Sequence, residues 1–196
     1  MELEIKRQFI HALGIFTTLL ILILGKIYAA VIMLLISISF IFIGEYRKKR
    51  KMLKLLKIKP LDDLEDILEE EIKSCERPTE SPFNGAILFY FSCFIVTMVF
   101  DTQAAIASIA VLALADSLST LVGYYFGKHK LFVNKKKSWE GSISFFMASL
   151  LVLLFFYNPV KAIAVSFFVT FVEMLPHLND NVSVPLSTAF LLTLIS

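Results

Sequence analysis

Seven apolar runs, Phe9–Leu24, Ile27–Ile43, Gly85–Phe100, Thr102–Phe126, Ser142–Tyr157, Val160–Leu175 and Val184–Ile195, take up most of this chain. A helix needs about 20 mostly apolar residues to cross the hydrocarbon core of a bilayer. Inside that core only helices and closed barrels satisfy every backbone N–H and C=O. Continuous apolar runs of this length, without strict alternation, read as helices. An all-α, polytopic membrane protein with about seven spans is therefore expected. Composition agrees, since 57% of the 196 residues are hydrophobic and mean hydropathy is +0.75, whereas roughly half of a soluble domain is apolar. Little chain remains for a second unit, so residues 1–196 are expected to form one membrane-embedded domain. Lys6 and Arg7 before the first run also suit a signal peptide. The apolar stretch resumes at once through Ile43, however, and a helical hairpin is expected instead. Cys75 and Cys93 lie in unlike settings, so neither a disulfide nor a thiolate metal site is expected.

Charge orients the chain. With the N-terminus inside, the inner segments are Met1–Gln8, Glu45–Asn84, Gly127–Gly141 and Pro176–Ser183, and they hold all of the 19 Lys and Arg residues except Lys26 and Lys161. That asymmetry follows the positive-inside rule. The expected site of chemistry is the cytoplasmic side, and the basic face is accounted for without a nucleic-acid partner. Within 45–84, a basic block from Arg47 to Lys59 is interleaved with Met52, Leu53, Leu55, Leu56 and Ile58. It reads either as an amphipathic helix on anionic headgroups or as an extension of the second span. Leu61, Leu64, Ile67, Leu68 and Ile72 then predict a second amphipathic helix after Pro60.

Ionisable groups inside spans are costly and mark function by default. Asp116 and Glu173 are the clear cases. On a helix, Asp116, Thr120, Gly123 and Gly127 share one face. Lys128, Lys130, Lys135, Lys136 and Lys137 follow, and Ser138 with Glu140 opens the next helix. A helix N-terminus is an anion site, lysines bind phosphate as compact charges, and an acid such as Asp116 can hold a Mg²⁺ that bridges nucleotide phosphates. Gly123 and Gly127 serve either close backbone approach to phosphate or close helix packing. Ser166, Thr170, Glu173 and His177 make a second polar stripe, followed by Asp180 and Asn181, which offer oxygen ligands suited to Mg²⁺. Arg7, His11, Gly14 and Thr18 form a third stripe on the first helix. Asp116 stands ten residues before the end of its run, about 15 Å along a helix. That acid must either project from the membrane on a long helix or line a cavity cut into it.

Together these residues resemble the CTP-dependent lipid-alcohol kinases, which include dolichol kinase, phytol kinase and a CTP-dependent diacylglycerol kinase. The likeness is carried by Lys6, Arg7 and His11, then Asp116, Gly123, Gly127 and Lys128, then Lys136, Lys137, Ser138, Glu140 and Gly141, and finally Glu173, Pro176, Asp180, Asn181, Pro185 and Leu186. The segment from Asp116 to Gly141 also looks like phosphatidate cytidylyltransferase. Those enzymes would carry a Pro-Gly-His-Gly-Gly-type segment followed by Asp-Arg near the C-terminus, which this chain lacks. Ala115 stands where the kinases commonly have Gly, Gln8 where Lys is common, and Asn179 where many have a second Asp.

The resemblance implies transfer of the γ-phosphoryl group of CTP to an isoprenoid alcohol in the bilayer, with Mg²⁺ as cofactor. Asp116, Glu173 and Asp180 are the implied metal ligands, Asp180 being alternatively the base, and Glu140 either touches the metal or orders the lysine loop. Lys128, Lys136 and Lys137, with Thr120, Gly123, Gly127, Ser138 and Asn181, would hold the nucleotide, and Arg7 and His11 would close the site. A cytidylyltransferase making a CDP-lipid and a non-enzymatic small transporter are the alternatives. The short chain looks like a prokaryotic or archaeal form, placed in the cell membrane.

Overall fold

The structure is a computed structural model that describes residues 2–55, 83–176 and 178–195. The described residues are helical apart from turns, loops and one isolated bridge between Lys130 and Ser138. The helices are α1 (Glu2–Leu13), α2 (Phe16–Leu24), α3 (Lys26–Leu55), α4 (Asn84–Val99), α5 (Thr102–Val111), α6 (Ser117–Phe126), α7 (Trp139–Leu154), α8 (Pro159–Met174) and α9 (Asp180–Leu194), with a π-helical turn at Leu112–Asp116 joining α5 to α6.

Three stretches are long and apolar enough to cross a membrane: Glu4–Leu24, Lys26–Lys49 and Thr102–Phe126. The other expected spans form helices of 15 or 16 residues, which reach about 24 Å at 1.5 Å per residue, short of the roughly 30 Å hydrocarbon core. The first run is broken at Gly14 and Ile15, between α1 and α2. A Cβ at Gly14 would meet the Phe89 ring and the His11 carbonyl. The basic block beginning at Arg47 continues α3 as far as Leu55, so its first part extends the second run. The second amphipathic helix expected there lies outside the described residues.

Polar caps set the other boundaries. Asp101, Ser138, Asn158 and Asn179 each accept a hydrogen bond from a backbone N–H in the turn they open, and Pro159 follows its cap at a position where no helical N–H is needed. Small residues then let α5 pass through the middle of the bundle, with Ala104, Ala105, Ala107 and Ile109 buried. It contacts α4, α7 and α9, while α8 packs on α7 and α9.

Gly123 and Gly127 hold α6 against the start of α7. A Cβ on Gly127 would fall 2.6 Å from Ser138 Oγ and would meet the Gly123 carbonyl, and one on Gly141 would fall 3.0 Å from the Ser119 carbonyl. Of the two sequence readings of these glycines, close helix packing is thus the one the contacts display. Gly127→Ala is expected to force the helices apart and cost about 1–3 kcal/mol, the usual range for overpacking, read as a lower thermal midpoint in detergent. An alanine variant as stable as its parent would show that the two helices have room to spare.

Candidate active site

Between α1, the N-terminal half of α4, the α6–α7 loop and the start of α9 lies a cavity of about 1250 Å³, larger than most small-molecule pockets. It gathers residues from all the polar stripes. Arg7, His11 and Gly14 come from α1 and its following turn, Asp116, Thr120, Gly123 and Gly127 from the π turn and α6, and Lys136, Lys137 and Ser138 from the loop. Glu173, Asp180 and Asn181 complete the set. Asp116 therefore lines a cavity from within the membrane-length stretch Thr102–Phe126. The π turn ends on this residue, as such turns often do at functional positions. The Ser117 hydroxyl, satisfied by the carbonyls of Ala113 at 2.7 Å and Gln8 at 3.2 Å, ties the turn to α1.

The centre of the site is Lys137. Its ammonium lies 2.9 Å from Glu173 Oε1, donates to both carboxylate oxygens of Asp180 at 2.9 and 3.0 Å, and donates to the Glu173 carbonyl. Burial alone would lower the Lys137 pKa, but the charges of Asp180 and Glu173 outweigh it and hold the ammonium above its usual value. Glu173 is only 2% exposed. Its remaining acceptor capacity is taken by Ser119 at 3.2 Å and Ser142 at 3.0 Å, so it is a buried anchor satisfied by one ammonium and two hydroxyls. Asp180, at the start of α9 outside the apolar run, is pushed up to about 7. Burial is the main cause and the Asp116 carboxylate adds to it, against the lowering effect of Lys137. Asp116 itself has His11 Nε2 3.4 Å from its Oδ2, and the His11 ring stands edge-on to Phe89 at 5.2 Å between centroids.

Other expected site residues have different partners. Glu140 accepts from His129, with its Oε1 2.7 Å from the ring Nδ1 and 3.2 Å from the backbone N–H. The Glu140 carboxyl is held down to about 2, mainly by its own backbone N–H and then by the His129 side chain. Ordering the loop is the role these contacts support. Lys128 is not among the residues lining the cavity. Arg7 pairs with Glu4 at 2.8 Å. The Asn181 amide donates to the Gly85 carbonyl at 3.1 Å, while its own carbonyl accepts from Ser92 at 2.5 Å, so it locks α9 to α4. Asn179 caps α9 through its side chain. Thr18, Ser166 and Thr170 are buried away from the cavity, and His177 lies outside the described residues. Ser119, Ser142 and Asn134 were not singled out in the sequence. Only Ser119 left a signal there, lying three residues past Asp116 on its helix.

The described residues contain no group of three or more His, Cys, Asp and Glu side chains arranged to hold a metal ion. Glu173 is too fully engaged to serve readily as a third ligand. Mg²⁺ at nucleotide sites commonly takes only one or two carboxylates, the rest of its shell being phosphate and water. The facing pair Asp116 and Asp180, whose mutual repulsion a cation would relieve, fits that pattern.

The model of the cytidylyltransferase family matches residues 67–194. The chain belongs to that family. The similarity to CTP-dependent lipid-alcohol kinases is borne out as well. A probable chloroplastic phytol kinase of Triticum aestivum is 36% identical over 140 residues, 60% of this chain and 47% of the relative. Phytol kinase 1 of Arabidopsis thaliana, also chloroplastic, is 32% identical over 122 residues, 52% of this chain and 40% of the relative. An uncharacterized protein of Rickettsia prowazekii is 22% identical over 200 residues, 95% of this chain and 91% of the relative. The chain thus spans less than half the length of these phytol kinases. No solved structure matches it.

Proposed function

We propose that this protein is a CTP-dependent kinase of a membrane isoprenoid alcohol, in the class of phytol, geranylgeraniol, polyprenol or dolichol. The observation that carries the reading is the meeting of Asp116, Lys137 and Asp180 in one large cavity, in a chain related to phytol kinases. Phosphoryl transfer asks a protein mainly to position the reactants and neutralise charge. Lys137, fixed by the Glu173 anchor, presents an ammonium at the cavity wall, and Lys136 and Arg7 add positive charge around it. CTP enters with its phosphates toward these groups. The alcohol oxygen forms a bond to the γ-phosphorus, the bond from that phosphorus to the β–γ bridging oxygen breaks, and CDP leaves with the electron pair. The hydroxyl proton passes to solvent in the cavity as the bond to phosphorus forms. Mg²⁺, which Asp116 and Asp180 would hold, would supply charge neutralisation for the phosphates.

The same reading places the N-terminus and the cavity in the cytoplasm, with the shorter helices completing about seven spans in a prokaryotic or archaeal cell membrane. The family description itself favours a second reading, cytidylyl transfer to a lipid acid. Two labels separate them. Purified protein in detergent, given CTP labelled at the γ-phosphorus and CTP labelled in cytosine, is expected to move only the phosphorus label into phytol or geranylgeraniol. Cytosine label in the lipid product would replace the kinase with the transferase.

A further inference from the structure

A second hollow of about 590 Å³ lies on the flank of the bundle between α8 and α9. Phe168, Phe171 and Leu175 line one wall, Phe190 and Leu191 the other, and Trp139 with the loop from Leu131 to Val133 covers one end. Among the lining side chains Ser187 alone carries a hydroxyl, and that hydroxyl donates to Ser183's carbonyl at 2.6 Å in its own helix. The surface is therefore hydrocarbon and aromatic throughout. Apolar residues on the outside of a membrane protein usually just face lipid, but this hollow differs in two ways. It is concave and partly covered, with Phe132 left 98% exposed on the covering loop. It also adjoins the polar cavity, with Leu175 as the wall that the two share. Two residues before Leu175, the Glu173 carbonyl accepts from the Lys137 ammonium.

We infer that this groove holds the isoprenoid chain of the acceptor, so that the hydroxyl emerges past Leu175 beside Lys137 and Asp180. This rests on the lipid-alcohol kinase reading of the cavity. A single groove beside the site offers a place for one chain, which selects an isoprenoid alcohol over a two-chain glyceride. The methyl branches of such a chain pack against the Phe168, Phe171 and Phe190 rings, where aromatic side chains offer large contact area.

Trp139 is the only tryptophan and lines the groove, so its fluorescence reports occupancy without any chemistry. Geranylgeraniol brominated across one double bond, added at constant detergent concentration, is expected to quench Trp139 saturably and to be displaced by unbrominated geranylgeraniol. Ser187→Phe, and independently Val172→Phe, fill the groove and are expected to raise the concentration for half-maximal quenching by about tenfold or more, a penalty typical of a blocked apolar pocket. Quenching that rises linearly, as plain micelle partitioning would give, overturns the assignment, even if γ-label transfer proceeds. Tighter quenching by a brominated diacylglycerol also overturns it. Saturable quenching without label transfer keeps the groove and removes the kinase reading.

Discussion

Lys137→Met is expected to reduce phosphoryl transfer by about a hundredfold or more, the scale set by losing one preorganised charged donor to a developing anion. It is also expected to destabilise the protein. Glu173 is buried and spends one oxygen on the ammonium, and removing one member of a buried pair leaves an uncompensated charge, at a cost of about 3 kcal/mol. Two losses from one substitution could share a trivial cause, namely a site that has fallen apart. The double variant Lys137→Met, Glu173→Leu separates them. Replacing both partners of a buried pair with apolar groups is often neutral or stabilising, so the thermal midpoint should return toward that of the parent while transfer stays lost. Transfer that recovers along with stability would reduce Lys137 to a structural counter-charge. Transfer unaffected in the single variant would take it out of the mechanism altogether.

What was legible in the sequence was mostly what one helix or one turn decides alone. The spacing of Asp116, Thr120, Gly123 and Gly127 put them on one face, and the structure turns that face into the cavity. Ser138 begins a helix because a short polar side chain reaches the first free N–H groups. The π turn at Leu112–Asp116 was hidden, because its sequence is that of an ordinary helix. Hidden too was the partner of each charge, which depends on contacts across the bundle. Glu173 meets Lys137 from 36 residues away, and that meeting makes it an anchor for the lysine more than a ligand for a metal. Glu140 was left open between ordering the lysine loop and touching a metal. It meets His129 in the loop that leads into its helix, and nothing in its spacing could say whether the loop would fold over it. The apolar groove was illegible for the same reason, since Phe168 and Phe190 look like any other lipid-facing residues until Trp139 and the loop are laid across them.

Asp116→Asn is expected to leave the protein folded and to lower transfer by about a hundredfold or more, with the remaining activity needing a higher Mg²⁺ concentration, as befits loss of one of only two carboxylate ligands. Asparagine keeps the size of the side chain and an acceptor oxygen toward His11 Nε2, 3.4 Å away in the parent. Stability should move the other way from activity. In the parent the Asp180 pKa stands at about 7, raised by burial and then by the Asp116 charge, against an ordinary value near 3.9. A group whose folded pKa is raised contributes stability that is complete below its unfolded pKa and is lost as pH climbs to its folded one. In EDTA the parent's thermal midpoint therefore carries a loss from Asp180 between about pH 4 and pH 7. Removing the Asp116 charge lowers the folded pKa of Asp180, so in Asp116→Asn that loss is smaller and finishes at a lower pH. The variant should then be as stable as the parent at pH 5 or less, and more stable at pH 8. Identical midpoint profiles would mean that the two carboxylates do not face each other across the cavity, and the shared cation proposed for them would go with that geometry.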